Sequence, residues 1–63
     1  MTETKTYTVV EYAGYEDERD MRSFPTIWAA HSFVMHAYAP DEYDLLHIGI
    51  RRDVPGQASE YVY

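Results

Sequence analysis

Residues 45–52, "LLHIGIRR", alternate more regularly than any other part of the chain, and they constrain the fold most. Successive side chains of an extended strand point to opposite faces, so the alternation predicts a central strand. One face carries Leu46, Ile48 and Ile50, and the other carries Leu45, His47, Gly49 and Arg51. The apolar face of such a strand must be covered, so the rest of the chain has to provide neighbouring strands and a covering element.

Three more strands are predicted around this one. Residues 4–12 are rich in Thr, Tyr and Val, as is typical of a strand. The acidic loop 14–20 then leads to a short second strand at 21–24, which completes a hairpin. After the central strand, a Pro-Gly turn leads to a last strand at 58–63.

A helix is predicted at residues 27–38, between the two hairpins. Thr26 is suited to cap its first turn, and Pro40 ends it because a residue before proline avoids the helical conformation. The stripe expected to face the sheet consists of Ile27, Ala30, Val34 and Ala37, flanked by Phe33. The order strand-strand-helix-strand-strand therefore predicts the α+β class: a small antiparallel sheet with one helix packed across it.

Size and charge limit the function. A chain of 63 residues is expected to form a single acidic domain, residues 1–63. The formal net charge of −6 disfavours direct binding to nucleic acid or anionic membranes and favours basic partners. No long apolar run or signal sequence is present, and cysteine is absent, so we expect a cytoplasmic protein.

The predicted helix contains no Asp, Glu, Lys or Arg, although a helix on a single sheet needs only one apolar face. Trp28 and Met35 lie outside the sheet-facing stripe, one heptad apart, and form a second apolar flank. Loops around Tyr43 or the N-terminal arm are one expected cover for this flank. A second copy of the chain or another partner is the alternative, so both a monomer and a weak homodimer remain open.

Acidic residues concentrate in two predicted loops, "YEDERD" and "PDEYD". The partner-binding candidates are Glu16, Asp17, Glu18, Asp20, Asp41, Glu42 and Asp44, together with Tyr15 and Tyr43. Arg19 and Arg22 are expected to relieve part of this charge. Such a mixture of carboxylates and flat rings can imitate the outside of a nucleic acid, which proteins contact mainly with Lys and Arg.

No metal, cofactor or catalytic site is predicted. His31 and His36 are five positions apart, about 140° around a helix, so they cannot share one ion as a pair at i and i+4 does. The acidic stretches lack the spaced ligands and central Gly of a calcium loop. No nucleophile elbow or phosphate-binding loop occurs, so we expect a protein that is not an enzyme.

In size, acidity and aromatic content the chain resembles the small phage-encoded anti-CRISPR proteins, and its two acidic loops carry that resemblance. The resemblance implies a DNA mimic that occludes the basic nucleic-acid site of a CRISPR effector complex in a bacterial cytoplasm. In that case the seven acids would take the place of phosphates. The alternative hypothesis is a structural or interaction module that dimerises or docks through Trp28 and Met35.

Overall fold

The computed structural model describes residues 5–63 and shows a small α+β fold. The elements in chain order are β1 (Thr6–Glu11), β2 (Arg19–Phe24), α1 (Ile27–Ala37), α2 (Pro40–Leu45), β3 (Gly49–Asp53) and β4 (Glu60–Tyr61). The four strands form one antiparallel sheet in the order β2-β1-β3-β4. The predicted α+β class, both hairpins and the central place of the third strand are thereby confirmed.

The core lies between α1 and one face of the two central strands. Val9 of β1 and Ile50 of β3 are opposite each other in the sheet and fully buried, and Ala30 and Val34 of α1 pack on them. The predicted helix cap is also confirmed, because Thr26 Oγ1 accepts a hydrogen bond from the Ala29 N–H at 3.2 Å.

Several predicted positions were wrong. Ala37 is exposed, since α1 ends there and Tyr38 already has extended backbone. β3 begins at Gly49 instead of residue 45, because His47 adopts a left-handed φ of 48° that no strand continues through. Leu45 is consequently exposed at 73%.

Other strand bounds shift by a few residues. β2 begins at Arg19, two residues earlier than predicted, and a bulge at Met21 accommodates the extra length. β1 ends at Glu11, because Tyr12 has a left-handed φ of 57°, and β4 is only two residues long. The predicted first strand began at Thr4, which lies outside the described residues.

The second acidic stretch was predicted to be a loop, and this was wrong: residues 40–45 form the short helix α2. Pro40 occupies the first helical position, where its missing N–H costs nothing. The Glu42 carboxylate accepts a hydrogen bond from the Ala39 N–H at 2.7 Å, which caps the first turn. Within residues 5–63, no helix is long and apolar enough to cross a membrane.

Candidate functional site

The two acidic segments lie at the same end of the sheet, where β1 ends and β3 begins. The acid loop, residues 12–18, follows β1, and the acid helix is α2, which precedes β3. Two backbone hydrogen bonds join them: the Tyr12 N–H donates to the Leu46 carbonyl at 2.8 Å, and the Ala13 N–H donates to the His47 carbonyl at 3.0 Å. We call this part of the molecule the acidic end.

The acid loop is held in one conformation by its own hydrogen bonds. The Tyr15 N–H donates to the Tyr12 carbonyl, and the Glu18 N–H donates to the Tyr15 carbonyl. The Gly14 N–H donates to the Glu18 carboxylate at 2.8 Å, and Gly14 has a φ of 83° that glycine adopts without strain. The exposed residues at the tip, Glu16 and Asp17, therefore sit on an ordered support.

Two residues that are not glycine, Tyr12 and His47, also have positive φ angles, 57° and 48°. They face each other across the junction of the acid loop and the acid helix, with ring centroids 6.2 Å apart. Backbone conformations of this kind cost energy and persist where the surrounding structure fixes them. The Tyr15 ring lies 4.7 Å from the His47 ring, so contacts between rings add to the backbone bonds that fix the junction.

Arg51, on the sheet face opposite α1, gathers the acids at the base of the loop. Its guanidinium donates to Glu18 at 2.6 Å, to Asp20 at 2.9 Å and 3.0 Å, and to Asp53 at 2.9 Å and 3.1 Å. The Tyr61 hydroxyl also donates to Glu18. Glu18 therefore holds the loop to the sheet, and Asp20, which lies on β2, is joined to β3 by the same guanidinium.

Hydrogen bonds and ion pairs within this cluster shift the pKa values of its members. Hydrogen bonds from Gly14, Tyr61 and Arg51 lower the pKa of Glu18 below its usual value. The guanidinium lowers the pKa of Asp53, and Ser59 and Thr8 add hydrogen bonds to the same carboxylate. The three carboxylates in turn raise the pKa of Arg51. Glu18, Asp53 and Arg51 are therefore charged at neutral pH.

The two basic residues expected to relieve the acid loop point elsewhere. Arg19 Nη2 donates to Glu11 Oε1 at 3.0 Å, and Arg22 lies over the Phe24 ring, 5.6 Å from its centroid. The countercharge for the loop instead comes from Arg51, which is more than 30 positions away in the sequence.

Ion pairing divides the candidate acids into two groups. Glu18 and Asp20 are paired with Arg51. Within residues 5–63, the acids that form no ion pair with another described residue are Glu16, Asp17, Asp41, Glu42 and Asp44. All five belong to the acidic end, and all except the half-buried capping residue Glu42 are exposed.

The two candidate tyrosines differ in how exposed they are. Tyr15 is 58% exposed at the loop tip and is available to a partner. Tyr43 is half-buried and packs against the core cluster, so it anchors the acid helix. His47, which the sequence did not single out as a binding residue, lies between the two acidic segments and is exposed.

The helix flank is not covered by any described residue. Trp28 is 79% exposed and Met35 is 70% exposed, the former being the most exposed large apolar side chain among residues 5–63. A shallow depression of about 300 Å³ adjoins Trp28 and is lined also by Lys5, Tyr7, Pro25, Thr26 and Ile27. Among the described residues, no group of three or more His, Asp or Glu side chains is placed to hold a metal ion.

Comparison of the chain with protein-family models, with curated proteins and with solved structures found no match.

Proposed function

We propose that this protein is a non-enzymatic inhibitor, an acidic DNA mimic that occludes the basic nucleic-acid-binding site of a partner protein or complex. The observation that carries the proposal is the position of the acids without an ion pair. Among the described residues, all of them lie at the acidic end, on a loop and a helix joined by backbone hydrogen bonds.

Such a surface suits a groove that binds phosphates. Proteins contact the nucleic-acid backbone mainly through Lys and Arg, and the energy of these contacts comes largely from neutralising negative charge. Exposed carboxylates on an ordered support offer the same charge without the entropy cost of ordering a flexible segment. Tyr15 adds a flat, partly apolar ring to the tip of the loop.

The mechanism is competition. The acidic end occupies the groove, and nucleic acid is excluded by steric overlap and by charge repulsion. Attraction between opposite charges accelerates association and weakens as salt screens it. A CRISPR effector complex is the partner that the resemblance to anti-CRISPR proteins suggests, and other basic nucleic-acid-binding proteins present the same chemistry.

The test is a DNA-displacement assay against a panel of such complexes, at low and high salt. We expect the wild-type protein to displace DNA from at least one of them, more strongly at low salt. Reversal of the two tip charges, Glu16→Lys with Asp17→Lys, is expected to abolish displacement while the circular dichroism spectrum is unchanged.

The matched control is Glu60→Lys, which reverses an exposed acid on β4, at the opposite end of β3 from the acidic end. Displacement that survives in the tip variant, or that is lost equally in the control, contradicts the proposal. Glu18 is left intact in this experiment because it holds the loop to Arg51.

A further inference from the structure

The outer face of α1 differs in charge from the rest of this acidic molecule. The 11 residues of α1 include no Asp, Glu, Lys or Arg, whereas the chain as a whole has a net charge of −6. Two copies of such a chain repel each other over most of their surface. The outer face of α1, with Trp28 and Met35 exposed, is a surface on which they can meet without bringing like charges together.

The spacing on this face is self-complementary. Trp28 and Met35 are seven positions apart, so they lie about 20° apart around the helix and about two turns apart along it. If two copies of α1 lie antiparallel, centred between His31 and Ser32, each Trp28 faces Met35 of the other copy. Methionine sulfur makes favourable contacts with aromatic rings, and a two-fold interface repeats each contact twice.

Charge selects the antiparallel arrangement. The end of α1 leads to the acidic end, since Tyr38 donates a hydrogen bond to Glu11 and α2 follows directly. Antiparallel helices place the two acidic ends at opposite ends of the pair, about 16 Å or more apart for a helix of 11 residues. That distance is about two Debye lengths at physiological salt, so the repulsion is largely screened.

The start of α1 also offers a countercharge. Lys5 lines the depression beside Trp28 and forms no ion pair with any described residue. In the antiparallel arrangement this region receives the acidic end of the second copy, which carries Asp41 just after its own α1.

We propose that the outer face of α1 is a homodimer interface, in which two copies pair their helices antiparallel with Trp28 of each against Met35 of the other. A single short helix per chain gives an interface at the small end of the range for specific complexes. Dimerisation is therefore expected to depend on concentration. The proposal does not depend on DNA mimicry, because it rests on the exposed Trp28 and Met35 of α1, which are not part of the acidic end.

Sedimentation equilibrium from about 10 µM to about 1 mM tests it. The wild-type chain is expected to shift from the mass of one chain to that of two, equally at low and high salt or more readily at high salt. Trp28→Lys and Met35→Glu are each expected to remain monomeric throughout. Both positions are exposed, so the circular dichroism spectra should match the wild type.

An equimolar mixture of the two variants tests the register. In a mixed pair one contact becomes Lys with Glu and the other remains Met with Trp, so association at least tenfold tighter than that of either variant alone is expected. The matched control is Met21→Glu, which adds the same charge at an exposed methionine on β2 and should dimerise as the wild type does.

The single tryptophan gives an independent readout, since its indole NMR signal should shift with concentration in the wild type and in Met21→Glu, and should not shift in Met35→Glu. A wild-type chain that stays monomeric at 1 mM overturns the proposal and leaves the face to a different protein. Dimers that persist in both single variants overturn it as well. Monomeric variants whose mixture also stays monomeric overturn the antiparallel register.

Discussion

Arg51 Nη1 lies 2.6 Å from Glu18 Oε2, and this contact joins the central strand β3 to the acid loop across 33 positions of sequence. The side chains of both residues are mostly buried, at 19% and 17% exposure. The same guanidinium also holds Asp20 and Asp53. Arg51 therefore adds ion pairs at the base of the acid loop to the hydrogen bonds that order the loop itself.

Replacing this arginine is expected to destabilise the fold. Arg51→Ala leaves three carboxylates without their cation, two of them shielded from solvent, and we expect a loss of about 2–4 kcal/mol in unfolding free energy. For a domain of this size that lowers the melting temperature by about 10 °C or more. Thermal unfolding followed by circular dichroism measures it.

The control is Arg52→Ala, the neighbouring arginine, whose one ion pair within residues 5–63 is with the exposed Glu60. Exposed ion pairs contribute at most about 1 kcal/mol, so this variant should lose much less stability than Arg51→Ala. Equal losses would contradict a central role for the Arg51 cluster.

The same cluster predicts how stability depends on pH. Hydrogen bonds from Gly14, Tyr61 and Arg51 lower the pKa of Glu18, and Arg51 lowers that of Asp53. A lowered folded pKa contributes stability that is fully present above the unfolded values, near 4.5 and 3.8, and is lost as pH falls through the folded values. Urea denaturation should therefore show a plateau above about pH 5 and a decline below about pH 4.

Arg51→Ala gives the control for that titration. Without the guanidinium the largest cause of the lowered pKa of Asp53 disappears, while Gly14 and Tyr61 still lower the pKa of Glu18. The variant should therefore be less stable at pH 7 and lose less stability on acidification. A wild-type profile that stays flat down to pH 2.5 would contradict the linkage to Glu18 and Asp53.

Tyr38 predicts a change at the alkaline end. Burial, followed by its hydrogen bond to Glu11, raises the pKa of Tyr38 to about 12 from a usual value of 10.0. The stability from this raised pKa is fully present below about pH 10 and is lost as pH rises toward 12. Ultraviolet absorbance titration should show a tyrosine ionising near pH 12 that is missing in Tyr38→Phe.

The Tyr38→Phe variant should also lose about 1 kcal/mol at neutral pH, because Glu11 Oε2 loses a hydrogen-bond donor. Tyr15→Phe is the matched control. The Tyr15 side chain is exposed, so loss of its hydroxyl should leave stability unchanged. Disappearance of the late ionisation in the control instead of the variant would show that Tyr38 was wrongly assigned.

Gly49 predicts a steric effect at the start of β3. A Cβ at this position would lie 2.8 Å from the Cβ of Ala13 and 3.2 Å from the Tyr63 carbonyl oxygen. Gly49→Ala is therefore expected to cost about 1–3 kcal/mol in unfolding free energy, as overpacking usually does. Combining it with Ala13→Gly removes the closer contact and should recover part of the loss. A double variant no more stable than Gly49→Ala would contradict this cause.

The fold was predictable where the signal is local. Residues 27–38 carry an N-cap at Thr26 and apolar side chains at helical spacing, and α1 forms there. The acid helix was missed although Pro40 and Glu42 occupy its first and third positions. Ala39 is a poor N-cap, and a sequence of acids after a proline is typical of a turn. Local composition favoured the wrong element.

The site was predictable only in part, for a different reason. The list of acids follows from composition, and the joining of the two segments depends on strand pairing between β1 and β3, which no local pattern encodes. Arg51 reads as part of an isolated basic pair, yet its partners Glu18 and Asp20 are more than 30 positions away. The sequence therefore predicts which residues are acidic and cannot predict which of them are neutralised.

That distinction leads to opposite outcomes for two acids in the same loop, Glu16 and Glu18. Glu16→Gln removes a charge that no described residue pairs with, so it should leave stability within about 0.5 kcal/mol of the wild type. If the acidic end mimics DNA, it should weaken competition about two- to fivefold, the usual range for one exposed ion contact. Glu18→Gln removes one of the three charged acceptors of Arg51 and should lower the melting temperature measurably.

Measuring the melting temperature and the inhibition constant for both variants separates the two proposed roles: Glu18 holds the loop to Arg51, and Glu16 presents an exposed charge to the partner. The expected pattern is weaker competition at unchanged stability for Glu16→Gln and reduced stability for Glu18→Gln. Competition by Glu18→Gln should recover as temperature is lowered, because the folded fraction rises while Glu16 and Asp17 keep their charges. Equal effects of the two substitutions on competition at low temperature would mean that Glu18 also contacts the partner, contrary to its burial against Arg51.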